Sequence, residues 1–219
     1  MKYCFFVVLF YLVSNAIAQD PWKDIYRESA WEQRDTWQRA SDIISKLRLS
    51  STSHVADVGS HEGYFTIKLA SVVRSGKVYA VDISKSKIEK LQENLAKRNI
   101  KNVDVILGKE SDPGLPRNTL DAVLIVDTYH EMDQHATVLQ YILTALKPGG
   151  RLLLCEPISD DRKALTRDEQ ERKHELGMKF ALDDLQKAGF NIKFQEEAFI
   201  DRVKEKGDKM WVIVCEKSI

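Results

Sequence analysis

The residues best equipped for chemistry in this chain sit where apolar runs end. Val55-Ala56-Asp57-Val58 leads into Gly59-Ser60-His61-Glu62-Gly63, and then into Tyr64-Phe65. Two glycines in a strand-to-helix turn let the backbone approach a ligand with no Cβ in the way. Asp82 closes the next apolar run, with Ile83 beside it. An acid at that point can accept hydrogen bonds from both hydroxyls of a ribose. A third run ends in Asp127-Thr128-Tyr129-His130-Glu131, which is rich in titratable groups, and a fourth in Glu156-Pro157. Between them Gly108-Lys109-Glu110-Ser111-Asp112 adds a polar turn.

These stretches need strands to carry them, and the hydrophobic pattern supplies them. Residues 26–49 read as one helix with Trp37, Ala40, Ile44 and Leu47 as its buried stripe. Strands are predicted at 54–58, 77–81, 103–107, 120–126 and 151–155. Helices are predicted at 64–73, 85–98 and 133–146. The 120–126 run is unbroken and apolar, as the centre of a covered parallel sheet requires. Lys147-Pro148-Gly149-Gly150 reads as the turn that closes the 133–146 helix. Thr166-Arg167-Asp168-Glu169 has the form of a capping box, and Gly189 is a natural residue to end a second helix carrying Leu182 and Leu185. Residues 190–195 and 210–216 are two strands with no helix between them, so an antiparallel pair is expected. The sum is an α/β, doubly wound, seven-stranded sheet, mostly parallel, with an antiparallel C-terminal pair. In such a sheet the ligand lies beyond the carboxyl ends of the strands, which is where every stretch named above falls.

Lys+Arg and Asp+Glu both number 33, so no overall basic field exists to draw in nucleic acid or an anionic membrane surface. Residues 1–18 read as a signal peptide: Lys2, an apolar run over 3–13, and Ala16-Ile17-Ala18 before a cut ahead of Gln19. That run is shorter than the ~20 residues a membrane span needs, so no stable insertion is expected after cleavage. The expected organisation is a leader at 1–18, an N-terminal helical segment at 19–53 and one ligand-binding domain at 54–219. The expected location is the periplasm or the medium. Cys155 and Cys215 lie on strands whose pairing puts them near opposite ends, so two buried free thiols are expected rather than a disulfide.

The glycine turn, Val78-Tyr79-Ala80-Val81-Asp82, residues 121–130 and Leu146-Lys147-Pro148-Gly149-Gly150-Arg151 together resemble the class I S-adenosylmethionine-dependent methyltransferases, which carry a Rossmann-like sheet. Arg34-Asp35-Thr36-Trp37-Gln38 is similar to the segment before the first strand in a bacterial, often exported, small-molecule subgroup. The resemblance implies S-adenosylmethionine as cofactor and a small-molecule acceptor. It places Asp57, Gly59, Ser60, His61 and Gly63 at the methionine moiety, Asp82 at the ribose and Glu110 near the adenine, with Ile83 and Asp127 also among the cofactor-binding residues. One departure stands out: the family's usual middle glycine is His61 here. A dinucleotide fingerprint fits less well, because it would want glycine at 61 and 64, which are His and Tyr.

Methyl transfer draws much of its acceleration from orientation, with a general base helping a hydroxyl acceptor. His130 and Tyr129 are the expected catalytic residues, and Asp127 would position them or the cofactor. His174 and Arg172 lie on a stretch that could cover the site. His130-Glu131 and His174-Glu175 each open a zinc-protease pattern, but the second histidines are replaced by Gln134 and Met178, so no metal is expected. The other reading is an exported, non-catalytic binding module that keeps this fold, since the cofactor is made in the cytosol.

Overall fold

The computed structural model describes residues 25–218; the leader predicted at 1–18 lies outside the described residues. The elements follow in chain order as α1 (Trp31–Asp35), α2 (Ala40–Lys46), β1 (His54–Val58), α3 (Tyr64–Val72), β2 (Lys77–Asp82), α4 (Lys85–Lys97), β3 (Val103–Leu107) and β4 (Leu120–Val126). Then come α5 (His135–Ala145), β5 (Leu146–Ile158), α6 (Arg167–Glu171), α7 (Met178–Ala188), β6 (Asn191–Arg202), α8 (Val203–Lys206) and β7 (Asp208–Glu216). The strands form one seven-stranded sheet in the order β3-β2-β1-β4-β5-β7-β6. β1 to β5 run parallel, and β7 is antiparallel to both β5 and β6. The predicted fold class is the one observed.

Alternation along β4 explains how one strand serves two cores. Val123 and Ile125 pack on one face with Leu139 and Ile142 of α5 and Leu185 of α7. Ala122 and Leu124 pack on the other with Ile43 of α2 and Leu69 of α3. Both faces are covered, so successive residues are all apolar. Each fully buried side chain of this size stabilises the fold by about 1.5–3 kcal/mol. The chain winds out to β3 on one side of β1 and returns to β4 on the other. The switch point is therefore between β1 and β4, and a crevice opens beyond their carboxyl ends.

Three elements differ from the pattern reading. The expected helix over 26–49 is divided into a 3-10 turn (Glu28–Ala30), α1 and α2. Arg39 takes φ 50, which a continuous helix does not allow. Its guanidinium is used instead to bond the Phe199 carbonyl and Asp42. The predicted stripe of Trp37, Ala40, Ile44 and Leu47 is nonetheless buried. The Lys147-Pro148-Gly149-Gly150 turn is absorbed into β5 as a register shift against β4, with Gly149 N–H bonded to the Lys217 carbonyl. β6 runs on to Arg202 past two irregularities. It is an edge strand whose side chains are mostly exposed, so it lacks the alternation that reveals a half-buried strand.

The Thr166 capping box forms in both directions, and Gly189 ends α7 at φ 94, as predicted. Cys155 pairs across the sheet with Val212 and Cys215 with Leu152. That stagger of three residues holds the thiols about 10 Å apart along the strands. Both are free and buried, and burial pushes both thiols up. Among the described residues no helix is long and apolar enough to cross a membrane.

Candidate active site

Two cavities meet at the crevice. The first, of about 210 Å³, lies against Gly59, Asp82, Ile83, Glu110, Thr128 and Met132. Gly59 has φ 82, and a Cβ there would stand 2.3 Å from the Thr128 side chain. Gly63 has φ 102, and its Cβ would meet Leu91 Cδ1 at 2.4 Å. The turn therefore demands both glycines. His61 takes the left-handed region at φ 49, where a side chain is strained. Its N–H donates to Asp82 Oδ2 at 2.9 Å, which holds the turn in that shape. Asp82 Oδ1 accepts the Ser84 N–H at 2.8 Å. Each carboxylate oxygen keeps a lone pair for a ligand hydroxyl. Ile83 is 62% exposed at the cleft, an apolar surface suited to a planar ring.

Asp57 lies beneath the turn, not in the cleft. Its Oδ2 accepts the Thr66 hydroxyl at 2.6 Å, and burial pushes its carboxyl up to about 6. Ser60 Oγ and His61 Nδ1 are buried in the turn without a hydrogen-bond partner. Burial lowers the His61 imidazole to about 4, so it is neutral and has acceptor capacity.

The second cavity, of about 370 Å³, is lined by Tyr26, Asp127, His130, His174 and Lys206 among others, and Glu131 borders both spaces. Asp127 ends β4 with φ 55. Its Oδ2 accepts from Arg202 Nη1 at 2.7 Å and from the Tyr26 hydroxyl. Arg202 also donates through Nε to Asp208, at 2.5 Å. Burial alone would raise the Asp127 carboxyl, but the Arg202 and Lys206 charges outweigh it and hold it far below the usual range. Lys206 Nζ stands 2.6 Å from the Tyr26 hydroxyl, and its own burial pushes it down.

His130 is held between carboxylates. Its Nδ1 lies 2.5 Å from Glu156 Oε2, and its Nε2 lies 3.2 Å from Glu131 Oε1. Burial opposes its charge, but Glu156 and Glu131 outweigh that and raise it to about 10. Glu156 is fully buried and also accepts the N–H groups of Thr128 and Tyr129. Tyr129 corrects an expectation. Its hydroxyl turns into the α5–α7 interface and donates to Asp184 at 2.9 Å, its ring fully buried, so it lines neither cavity. His174 does reach the second cavity, with Nδ1 2.5 Å from Glu131, whereas Arg172 is exposed and does not line it.

The structure thus gathers Gly59, Asp82, Ile83 and Glu110 around one cavity, and Asp127, His130 and His174 around the next. Ser60, His61 and Gly63 shape the turn above Asp57. Sequence reasoning missed Tyr26, Arg202 and Lys206. The one available signal was Arg202 and Asp208 flanking Gly207, the spacing of a hairpin with an ion pair at its mouth.

The profile of the Methyltransferase domain family matches residues 49–181. The chain belongs to that family. A demethylmenaquinone methyltransferase from a Geobacillus species (strain WCH70) is 29% identical over 116 residues, covering 52% of this chain and 50% of its own. The chain spans about half the length of the curated relatives it matches. An S-adenosylmethionine-dependent methyltransferase from Aquifex aeolicus superimposes with a TM-score of 0.71 at 20% identity, over 85% of this chain and 93% of that one. A phosphoethanolamine N-methyltransferase from Haemonchus contortus, solved with S-adenosyl-L-methionine, reaches 0.69 at 14% identity, over 90% and 59%.

Two outcomes follow from the buried charges. Arg202→Met strands Asp127 and Asp208 without their cation and costs about 3–5 kcal/mol in urea unfolding. Adding Asp127→Asn to that variant recovers more than about 1 kcal/mol of the loss. Additive effects of the two changes would show that the pair is not coupled. Asp57 has a folded-state pKa near 6, above its ordinary 3.8, so the fold takes up a proton there and loses stability as pH rises through that window. The unfolding free energy of Asp57→Asn minus that of the wild type should therefore climb by about 2 kcal/mol between pH 4 and pH 7. A difference that stays flat with pH would contradict the buried carboxyl.

Proposed function

We propose that this chain is an S-adenosylmethionine-dependent methyltransferase acting on a small-molecule acceptor. The observation that carries it is the meeting of the two cavities at Glu131, with Gly59 and Asp82 on one side and Asp127 and His130 on the other. S-adenosylmethionine supplies an electrophilic methyl group on a sulfonium sulfur. The residues present suit that group. Asp82 has lone pairs free for the two ribose hydroxyls. Ile83 and Met132 offer apolar surface to the adenine, with Glu110 at its edge. Ser60 Oγ and His61 Nδ1, unpartnered in the turn, match the polar amino-acid end.

The acceptor side does different work. The Arg202–Asp127 pair fixes Tyr26 across the mouth and orders the wall against which an acceptor is oriented. Tyr26 and Lys206, bonded to each other, form part of the same wall. A cavity of about 370 Å³ is in the range of small-ligand sites. Holding both reactants in line there is the main contribution of the protein to rate.

Asp82→Ala, checked for folding by circular dichroism, should weaken S-adenosylmethionine binding in calorimetry by about 10–100-fold. A folded wild-type chain that gives no binding heat would sink the reading. The leader read at residues 1–18 extends the proposal to an exported enzyme. Terminal sequencing of the chain recovered from outside the cytosol should then begin at Gln19, and a chain retained inside with Met1 intact would refute export.

A further inference from the structure

His130, Glu131 and His174 converge although 43 residues separate the last two. One nitrogen from each histidine and one Glu131 oxygen lie within 4.8 Å of one another. Two imidazoles and a carboxylate form the donor set of catalytic zinc-class sites, which leave the fourth position open. We propose that these three side chains bind one divalent transition-metal ion of the zinc class at the wall of the second cavity. The zinc-protease pattern takes both histidines from one helix, so it does not describe this cluster.

The second observation is the far side of His130. Metal-bound histidines almost always give their other ring nitrogen to a carboxylate or carbonyl, which fixes tautomer and orientation. His130 Nδ1 is engaged by Glu156, whose carboxylate is fully buried and anchored by two backbone N–H groups. Nε2 is thereby aimed at Glu131, and a metal ion bound there displaces the proton that Nε2 otherwise carries, releasing it to solvent. Ligand atoms around a tetrahedral zinc ion stand about 3.3 Å apart, given bonds of about 2.0 Å. The 3.2 Å between His130 Nε2 and Glu131 Oε1 already fits. The 2.5 Å between His174 Nδ1 and the same oxygen must open slightly. His174 has room to do so, with 71% of its side chain exposed.

His174 also holds φ 57 between α6 and α7, an uncommon conformation of the kind that clusters at functional positions. Of the positive groups facing the cavity, Arg162 is engaged by Glu175 and Lys206 by Tyr26, while Lys173 is exposed. Asp127 and Glu156 add negative charge behind His130.

All three side chains line the space assigned to the acceptor. A role in methyl transfer rests on the function proposed above; the metal binding does not. A hydroxyl acceptor bound there would lose its proton to solvent, since zinc lowers the pKa of bound water to about 7. Its oxygen would then form the carbon–oxygen bond as the methyl–sulfur bond breaks and leaves its electron pair on sulfur.

The test uses the untagged chain stripped with chelator and titrated with Zn²⁺ or Co²⁺. One equivalent should bind, and Co²⁺ should give the visible absorption of a four-coordinate site. His174→Ala, at an exposed position, and Glu131→Gln should each weaken binding at least about 10-fold. His54→Gln, at the opposite end of β1, should not. S-adenosylmethionine affinity should be unchanged in His174→Ala, which separates failure of this site from failure of the cofactor cleft. Absence of stoichiometric binding, or equal affinity in wild type, His174→Ala and Glu131→Gln, overturns the proposal.

Discussion

The second cavity of this molecule depends on one buried guanidinium. Arg202 is fully buried and carries a carboxylate on each flank, Asp127 from the end of β4 and Asp208 from the start of β7. An ion pair in such a place is not cheap, because desolvation offsets most of the attraction unless every donor is used. The planar fork of arginine meets that demand better than lysine would. The arrangement ties the C-terminal hairpin to the parallel sheet, and Asp127 in turn fixes Tyr26 from the N-terminal segment. Remove the cation and three separate parts of the chain lose their common point.

The two sides of the crevice were unequally legible, for a physical reason. The first cavity, like the helix ends, is built from contiguous stretches. A turn, the acid that ends the next strand, the Thr166 capping box and the Gly189 terminus each depend on residues a few positions apart, and such rules show in sequence. The seven strands and their antiparallel C-terminal pair follow from the same local pattern, whereas their order in the sheet is set by packing that the pattern does not show. The second cavity is assembled from Tyr26, Asp127, His174 and Arg202, which no local period connects. The helix over 26–49 misread for a related reason. Its buried stripe was correct, but Arg39 trades helical backbone for a bond to the Phe199 carbonyl far along the chain.

Glu156 shows how a strand end organises a loop. It receives Thr128 N–H, Tyr129 N–H and His130 Nδ1, so three consecutive residues are oriented by one carboxylate. With His130 held toward the cavity, Tyr129 is left on the opposite side of the turn. Its hydroxyl joins Asp184, which Arg167 also binds. Two neighbouring residues of similar apparent promise thus end in different environments, one at the crevice and one in the helix interface. Residue type alone could not separate them, because the split is decided by a carboxylate 26 and 27 positions away.

The bond between Tyr26 and Lys206 spans 180 residues, which has a bearing on how the chain is made. Synthesis proceeds from the N-terminus, so β1 to β4 can pair while the last hairpin is still on the ribosome. During that interval Asp127 is a carboxylate without its cation and Tyr26 has no anchor. Closing so long a loop is entropically the slowest contact available to the chain. The second cavity is consequently completed only when the final hairpin has been released, because Arg202, Lys206 and Asp208 all come from it.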